Sequence, residues 1–403
     1  MMPKLCLKTT IVTNPYNLYA VSFLCVLCAF SLGWSELYST LGNNLLFFLL
    51  ITSLVSLVFA QDKSVKKRCV FRPIPVGRNN KKGLFVILLG TVAQFAAAGG
   101  IPAVTIVFGG IGNYKDFVGI PIVGPFISYF NVVWSIYLFY QYQSNRDNKQ
   151  LLRYFLFSLV PFLLMFNRGA LMQILCPCFF IYLMRLQNLY LKTIIKMVLG
   201  VFLFLLAFGA IGNMRDSAGM EDEMPTVLRL GGASEEFIDS KIPKALFWGY
   251  VYAASPVANL QSAINDSKPD VSADNFINTM IESCMPDVIS NRLNAFMHIE
   301  GPSSSTYLVS SVFNASSVYY LPYIRLGWLG MTIMYFFMIF MIKLYTVIVP
   351  RTSTWFLIGW SFLLFIILLN TFNNMWYYSG LTILIMIMLF AVVEKKKVKN
   401  NGK

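Results

Sequence analysis

The sequence predicts an all-α, polytopic integral membrane protein with about ten transmembrane helices, and three observations predict it. Of its 403 residues, 57% are hydrophobic and only 12% charged, where a soluble domain carries about 25% charged residues. Apolar stretches of bilayer-spanning length recur along the chain, and basic residues collect in every second connection between them. Together these exclude a soluble enzyme, a disordered chain and a secreted disulfide scaffold.

A helix crosses the hydrocarbon core with about 20 mostly apolar residues. Ten stretches qualify, at 17–34, 43–60, 84–107, 120–141, 151–167, 169–184, 196–213, 322–345, 353–370 and 380–393. The fifth and sixth are short, contain Pro161 and Pro177, and are separated only by Asn167-Arg168-Gly169. Membrane helices tolerate such prolines where neighbours re-satisfy the freed backbone groups. Gly99-Gly100, Pro102, Gly109-Gly110 and Pro121 predict a broken or re-entrant segment over 99–125. The first apolar stretch runs into Trp34 without a small-x-small cleavage site, so it reads as an uncleaved first span. The organisation is then seven helices over 1–213, a large loop over 214–321, three helices over 322–394 and a basic tail over 395–403.

Positive charge orients these spans. With the N-terminus in the cytoplasm, 23 of the 32 Lys and Arg fall on the cytoplasmic side, beside only Asp62, Asp147 and Glu394. The opposite side holds the other nine bases and 15 of the 18 acids. Both termini are therefore expected inside, and the formal charge of +14 is a topology signal. The basic segment 61–83 reads as a loop near anionic headgroups, with no nucleic-acid partner. Only Cys284 of the seven cysteines faces outward, so there is no disulfide framework. Cys176-Pro-Cys178 has no His or acidic company, and no metal site is expected there.

Residues 214–321 are the one long non-membrane segment, with 13 acids, six bases and the only histidine, His298. Apolar patches at Ile242 to Leu260 and Phe276 to Ile281 alternate with turn-rich stretches such as Asn265 to Pro269. That pattern predicts several short helices folding back on the membrane. Loops of this length are usually functional, which places chemistry or recognition on the outward side.

Charge placement narrows the chemistry. A proton-coupled carrier buries acids within its spans, and here the apolar stretches hold almost none. The outer boundary instead carries Arg168, Arg215 and Arg325, with Arg229 and Arg292 in the loop. Guanidinium binds phosphate oxygens bidentately and stays charged, so this set suits a lipid-linked diphosphate. The competing reading is ordinary interface snorkelling. Asn373-Asn374-Met-Trp376-Tyr377-Tyr378, and Tyr319-Tyr320 with Tyr323, offer rings and amides to a glycan, or form an interfacial aromatic belt.

Three segments resemble one family. Phe166-Asn-Arg-Gly-Ala-Leu-Met172 is similar to the Arg-Gly element of the O-antigen and oligosaccharide repeat-unit polymerases, the Wzy type. So are Tyr250-Val-Tyr-Ala-Ala-Ser-Pro-Val-Ala-Asn-Leu260, and Ser305-Thr-Tyr307 running to Arg325-Leu-Gly-Trp-Leu-Gly330. The layout of many spans with one large outward loop covers nearly the whole chain. The sequence departs from members with two matched arginine-bearing loops, because Thr371 to Ser379 holds no arginine.

The resemblance implies a GT-C-like glycosyltransferase of the bacterial inner membrane, acting on the periplasmic side without a cofactor. Donor and acceptor would both be undecaprenyl-diphosphate-linked oligosaccharides, and a chain-length regulator and a flippase would be partners alongside membrane lipid. Cleaving the anomeric bond develops charge on the diphosphate, which preorganised arginines stabilise, while the acceptor hydroxyl needs a base. His298 and Glu300 are the candidate bases, with Glu221-Asp222-Glu223 as an alternative base or a divalent-cation site; that run lacks a clean Asp-x-Asp and reads better as a solvated acidic loop. Tyr250, Asn259, Tyr323, Trp376 and Tyr377 are the candidate glycan contacts, with Pro256 ending a short helix to present Asn259. An O-antigen ligase and a lipid-linked oligosaccharide flippase or other transporter are the alternatives. The orientation is testable: green fluorescent protein fused after Lys403 should fluoresce, and alkaline phosphatase fused after Ser267 should be active. The reverse pair of results would overturn it.

Overall fold

The computed structural model describes residues 6–104, 119–165, 167–216, 226–299, 305–310 and 313–401. Its longer helices are α1 (Pro15–Phe30), α2 (Asn43–Ala60), α3 (Asn80–Ala97), α4 (Val123–Ser144), α5 (Lys149–Leu164), α6 (Arg168–Leu186) and α7 (Leu191–Asp216). They continue with α8 (Leu246–Asp266), α9 (Ala273–Cys284), α10 (Asp287–Met297), α11 (Tyr320–Ile348), α12 (Phe356–Leu369) and α13 (Leu381–Asn401). Side-chain caps start several of them. Asn14, Asn148, Asn167 and Ser272 each accept from a backbone N–H of the first turn, satisfying donors the helix leaves orphaned.

A helix lies on each of the ten apolar stretches. Among the described residues, five helices are long and apolar enough to cross a membrane: α2, α4, α6, α11 and Trp376–Lys395. Helices α1 and α12 are apolar but shorter. At 14 residues, α12 is about 21 Å long, against a hydrocarbon core of about 30 Å. The predicted broken segment begins where α3 ends, at Gly99 with φ +73°. Its centre, including Gly109-Gly110, lies outside the described residues.

The chain forms two compact units. One comprises residues 1–66, 188–341 and 366–378, and so contains the described part of the large loop. Here α1 packs on α2 and α8, and α7 on α8. A short antiparallel ladder pairs Cys6–Lys8 with Asn188–Tyr190. Polar groups buried among apolar helices must find partners inside the protein. Tyr19 donates to Thr52 Oγ1 (2.9 Å) and meets the Tyr319 hydroxyl, while Tyr335 donates to the Thr52 carbonyl (3.0 Å). These bonds join α1, α2 and the α11 region. Gly209 of α7 permits another close approach, since a Cβ there would lie 2.0 Å from the Ala245 carbonyl oxygen.

The second unit comprises residues 67–187, 342–365 and 379–403. Helix α4 is its centre, packing on α3, α5, α6 and α13. Asn131 donates to the Ser158 carbonyl (3.1 Å), Ser135 to Ser158 Oγ (2.8 Å), and Asn80 and Gln141 exchange reciprocal amide bonds at 2.9 Å. Glu394 accepts from Ser353 Oγ and the Thr354 N–H, closing the connection ahead of α12.

Two expectations for the loop are corrected. Helix α8 has 21 residues and runs through Pro256 without ending, so the proline presents nothing. Asn259 is fully buried, because its amide fastens a neighbouring backbone segment. Its Nδ2 donates to the Phe313 and Ala315 carbonyls at 2.7 Å each, and its Oδ1 accepts from the Val309 N–H at 2.9 Å. Asn259→Ala would leave three backbone groups without this partner, one buried and two part-buried, and the buried one alone costs about 1–3 kcal/mol. We expect a loss of about 1–3 kcal/mol, read as a lower unfolding midpoint in detergent.

Candidate functional site

Helices α9 and α10 form a pair in the first unit, and their sequence explains both ends. Ser272 caps α9 with Asp274 in its first turn, where the helix dipole favours an acid. Helix α10 ends at His298, which takes the left-handed conformation (φ 49°, ψ 46°) as its C-cap. Against this pair sits the turn 370–378, which is held by amides. Asn370 accepts from the Met375 N–H (3.1 Å) through Oδ1, and its carbonyl accepts from the Val318 N–H (2.9 Å). Asn374 Nδ2 donates to the Ser283 carbonyl (2.9 Å), and the Tyr377 hydroxyl donates to Asn291 Oδ1 (2.8 Å).

These elements enclose a cavity of about 190 Å³. Its wall carries Glu282, Asn294, Ser317, Asn373, Asn374 and Tyr377, so carboxylate, amide and hydroxyl groups face one space. Two polar atoms in that wall, Ser317 Oγ and Asn294 Oδ1, are buried without a hydrogen-bond partner. Buried polar groups are normally satisfied, and such a pair suits a hydroxyl-rich ligand.

Behind the wall lies Arg325, 4% exposed, donating from Nε (3.1 Å) and Nη2 (2.9 Å) to Glu282 Oε2. The glycines of Arg325-Leu-Gly-Trp-Leu-Gly330 set the local backbone that carries it. Gly327 takes φ +60°, ψ −142°, breaking α11 two residues after Arg325, in a region essentially reserved for glycine. A Cβ at Gly330 would lie 2.0 Å from the Pro322 carbonyl oxygen. Burial raises the Glu282 carboxyl above the ordinary carboxylate range, and Arg325 opposes that shift. Burial likewise pushes the Cys284 thiol up to about 12, leaving it protonated and inert.

The sequence-predicted residues separate into distinct places. Arg325 and Tyr377 belong to this site, one behind the wall and one in it. Arg292 and His298 are exposed on and at the end of α10, and Arg229 is exposed on the short helix Thr226–Leu230. His298 is not among the cavity-wall residues. Tyr250 is a core residue packed on Trp34, Tyr38 and Phe247, Trp376 is fully buried against Phe337, and Tyr323 is buried beside Trp328. Arg168 is exposed at the start of α6 in the second unit, where Asn167 caps the helix. Arg215 lies in α7, and its side chain, like Glu300 and Glu221-Asp222-Glu223, lies outside the described residues. Glu282, Ser317 and Asn294 were not singled out by the sequence, where Glu282 is one of 13 acids in the loop.

Among the described residues no group of three His, Cys, Asp or Glu side chains is placed to hold a metal ion. No protein-family model, curated protein or solved structure matches the chain. Gly327→Ala would force a left-handed alanine, at about 1–3 kcal/mol, and displace Arg325. We expect a lowered unfolding midpoint, with a smaller effect from Gly169→Ala, where a Cβ would meet only Asn167 Oδ1, at 3.6 Å.

Proposed function

We propose that this protein is an O-antigen polymerase, a glycosyltransferase of the bacterial inner membrane. It joins undecaprenyl-diphosphate-linked repeat units on the periplasmic side, with about ten spans and both termini in the cytoplasm. One observation carries the reading: a cavity lined by amides, hydroxyls and a carboxylate, two of its polar atoms unpartnered, where the acidic loop meets the ends of apolar helices. Sugars are recognised through hydroxyl contacts, and a lipid-linked sugar is delivered at that level.

No nucleotide donor is available outside the cytoplasm, so the donor brings its own leaving group as a lipid diphosphate. As the anomeric bond breaks, charge grows on the diphosphate and a guanidinium stabilises it. Arg325 is paired with Glu282, whereas Arg292 of α10 is exposed outside the cavity wall, and we assign the diphosphate contact to it. Hydroxyls of the acceptor unit meet the amides and tyrosine of the cavity wall.

Deleting the gene and separating the lipopolysaccharide on a gel tests the reading. Loss of polymerisation leaves core bearing a single repeat unit, whereas loss of a ligase leaves bare core. Arg292→Ala should shorten the ladder by reducing transfer, with protein level in the membrane unchanged. A deletion strain with normal ladders would overturn the assignment.

A further inference from the structure

We infer that Glu282 accepts the proton of the attacking sugar hydroxyl and that Arg325 is the positioning residue that holds it for this task; this rests on the polymerase reading above. Glu282 occupies the last turn of α9, and its side chain, 15% exposed, reaches the cavity wall. Two guanidinium bonds from Arg325 converge on Oε2, and these two leave the second carboxylate oxygen unclaimed. Ser317 Oγ and Asn294 Oδ1, the two unpartnered atoms of the same wall, provide groups to orient a sugar ring against that carboxylate. At about 190 Å³ the cavity holds on the order of six waters, the scale of one sugar residue.

The step balances without a cofactor. The acceptor hydroxyl oxygen forms a bond to the anomeric carbon of the donor, and the anomeric C–O bond to the carrier diphosphate breaks. The electron pair of that bond leaves with the diphosphate, and the hydroxyl proton passes to Glu282 and then to water. A base works best with a pKa near the working pH. Burial moves Glu282 in that direction, while Arg325 opposes the shift. The titratable groups around it are Arg325 from α11 and Tyr377 from the turn after α12, with Asp287 of α10 acting on the same tyrosine. Neither His298 nor Cys284 lines this cavity.

The experiment measures polymer formed by right-side-out vesicles of the deletion strain carrying each variant, supplied with carrier-linked repeat unit across a pH series. Glu282→Gln should reduce polymer by about 10²-fold or more at every pH. Because that variant leaves Arg325 buried without a counter-charge, the Glu282→Gln/Arg325→Met pair removes both charges and should accumulate normally, equally inactive. Arg325→Gln removes the group that lowers the carboxyl pKa, so its acid limb should move to higher pH, and activity should return as pH rises. If neither glutamine variant at 282 accumulates, the Arg325→Gln profile decides. Polymer within about threefold of wild type from either glutamine variant would overturn the assignment of Glu282 alone, as would an Arg325→Gln loss that alkaline pH does not repair. Normal ladders in the deletion strain would instead overturn the polymerase reading and this assignment with it.

Discussion

A guanidinium buried to 4% exposure needs a counter-charge within the protein, and Glu282 is the partner Arg325 finds. Removing one member of such a pair costs about 3–5 kcal/mol, because the survivor is left charged and unsolvated. The pair therefore ties the last turn of α9 to the start of α11 through two residues 43 apart in the chain. The cavity beside the pair is lined by residues between those ends, such as Asn294 and Ser317, and by the separate turn that carries Asn373, Asn374 and Tyr377. A carboxylate at its wall follows from the need to neutralise the arginine. So one electrostatic requirement supplies both a structural tie and a carboxylate facing the cavity.

The surrounding architecture meets the same requirement with neutral groups. Asn259 fastens the backbone at Val309, Phe313 and Ala315, Asn370 and Asn374 fold the 370–378 turn, and Tyr19, Thr52 and Tyr335 link α1, α2 and α11. In most of these a side-chain amide or hydroxyl replaces the water that an apolar setting denies the backbone, and Tyr19 bonds the Thr52 hydroxyl instead. Such bonds add modest net stability, but leaving their partners unmade is costly. Ser317 Oγ and Asn294 Oδ1 are among the buried polar atoms that depart from this pattern, and these two share one cavity wall.

The apolar helices were legible because their signal is local and additive. Asn43–Ala60 coincides with the predicted stretch residue for residue, since 18 mostly apolar residues leave a helix as the main way to satisfy their backbone. The site was legible only in part. Arg325 stood out as an outward arginine beside two glycines, and Gly327 and Gly330 do set its backbone. Tyr250, Trp376 and Asn259 looked like glycan contacts, yet the fold uses them as packing and latching groups. An aromatic ring or an amide serves a sugar and a protein interior by the same physics, so composition alone does not separate the two uses. Pro256 was misleading for a related reason: it sits within α8 because that helix is packed on α1 and α7.

By itself the sequence determined the class of protein: an all-α chain with helices at ten apolar stretches and a strongly asymmetric charge distribution. Those properties follow from the cost of exposing polar backbone to hydrocarbon and from where Lys and Arg can reside, and both are read one segment at a time. Only the tertiary structure decided that Glu282, out of 13 loop acids, meets Arg325, and that Ser317 and Asn294 share its cavity. Burial, and with it the raised pKa of Glu282, exists only after distant segments have packed together. Pairing across 43 residues leaves no periodic trace in the chain, because the force that selects it acts through space at about 3 Å.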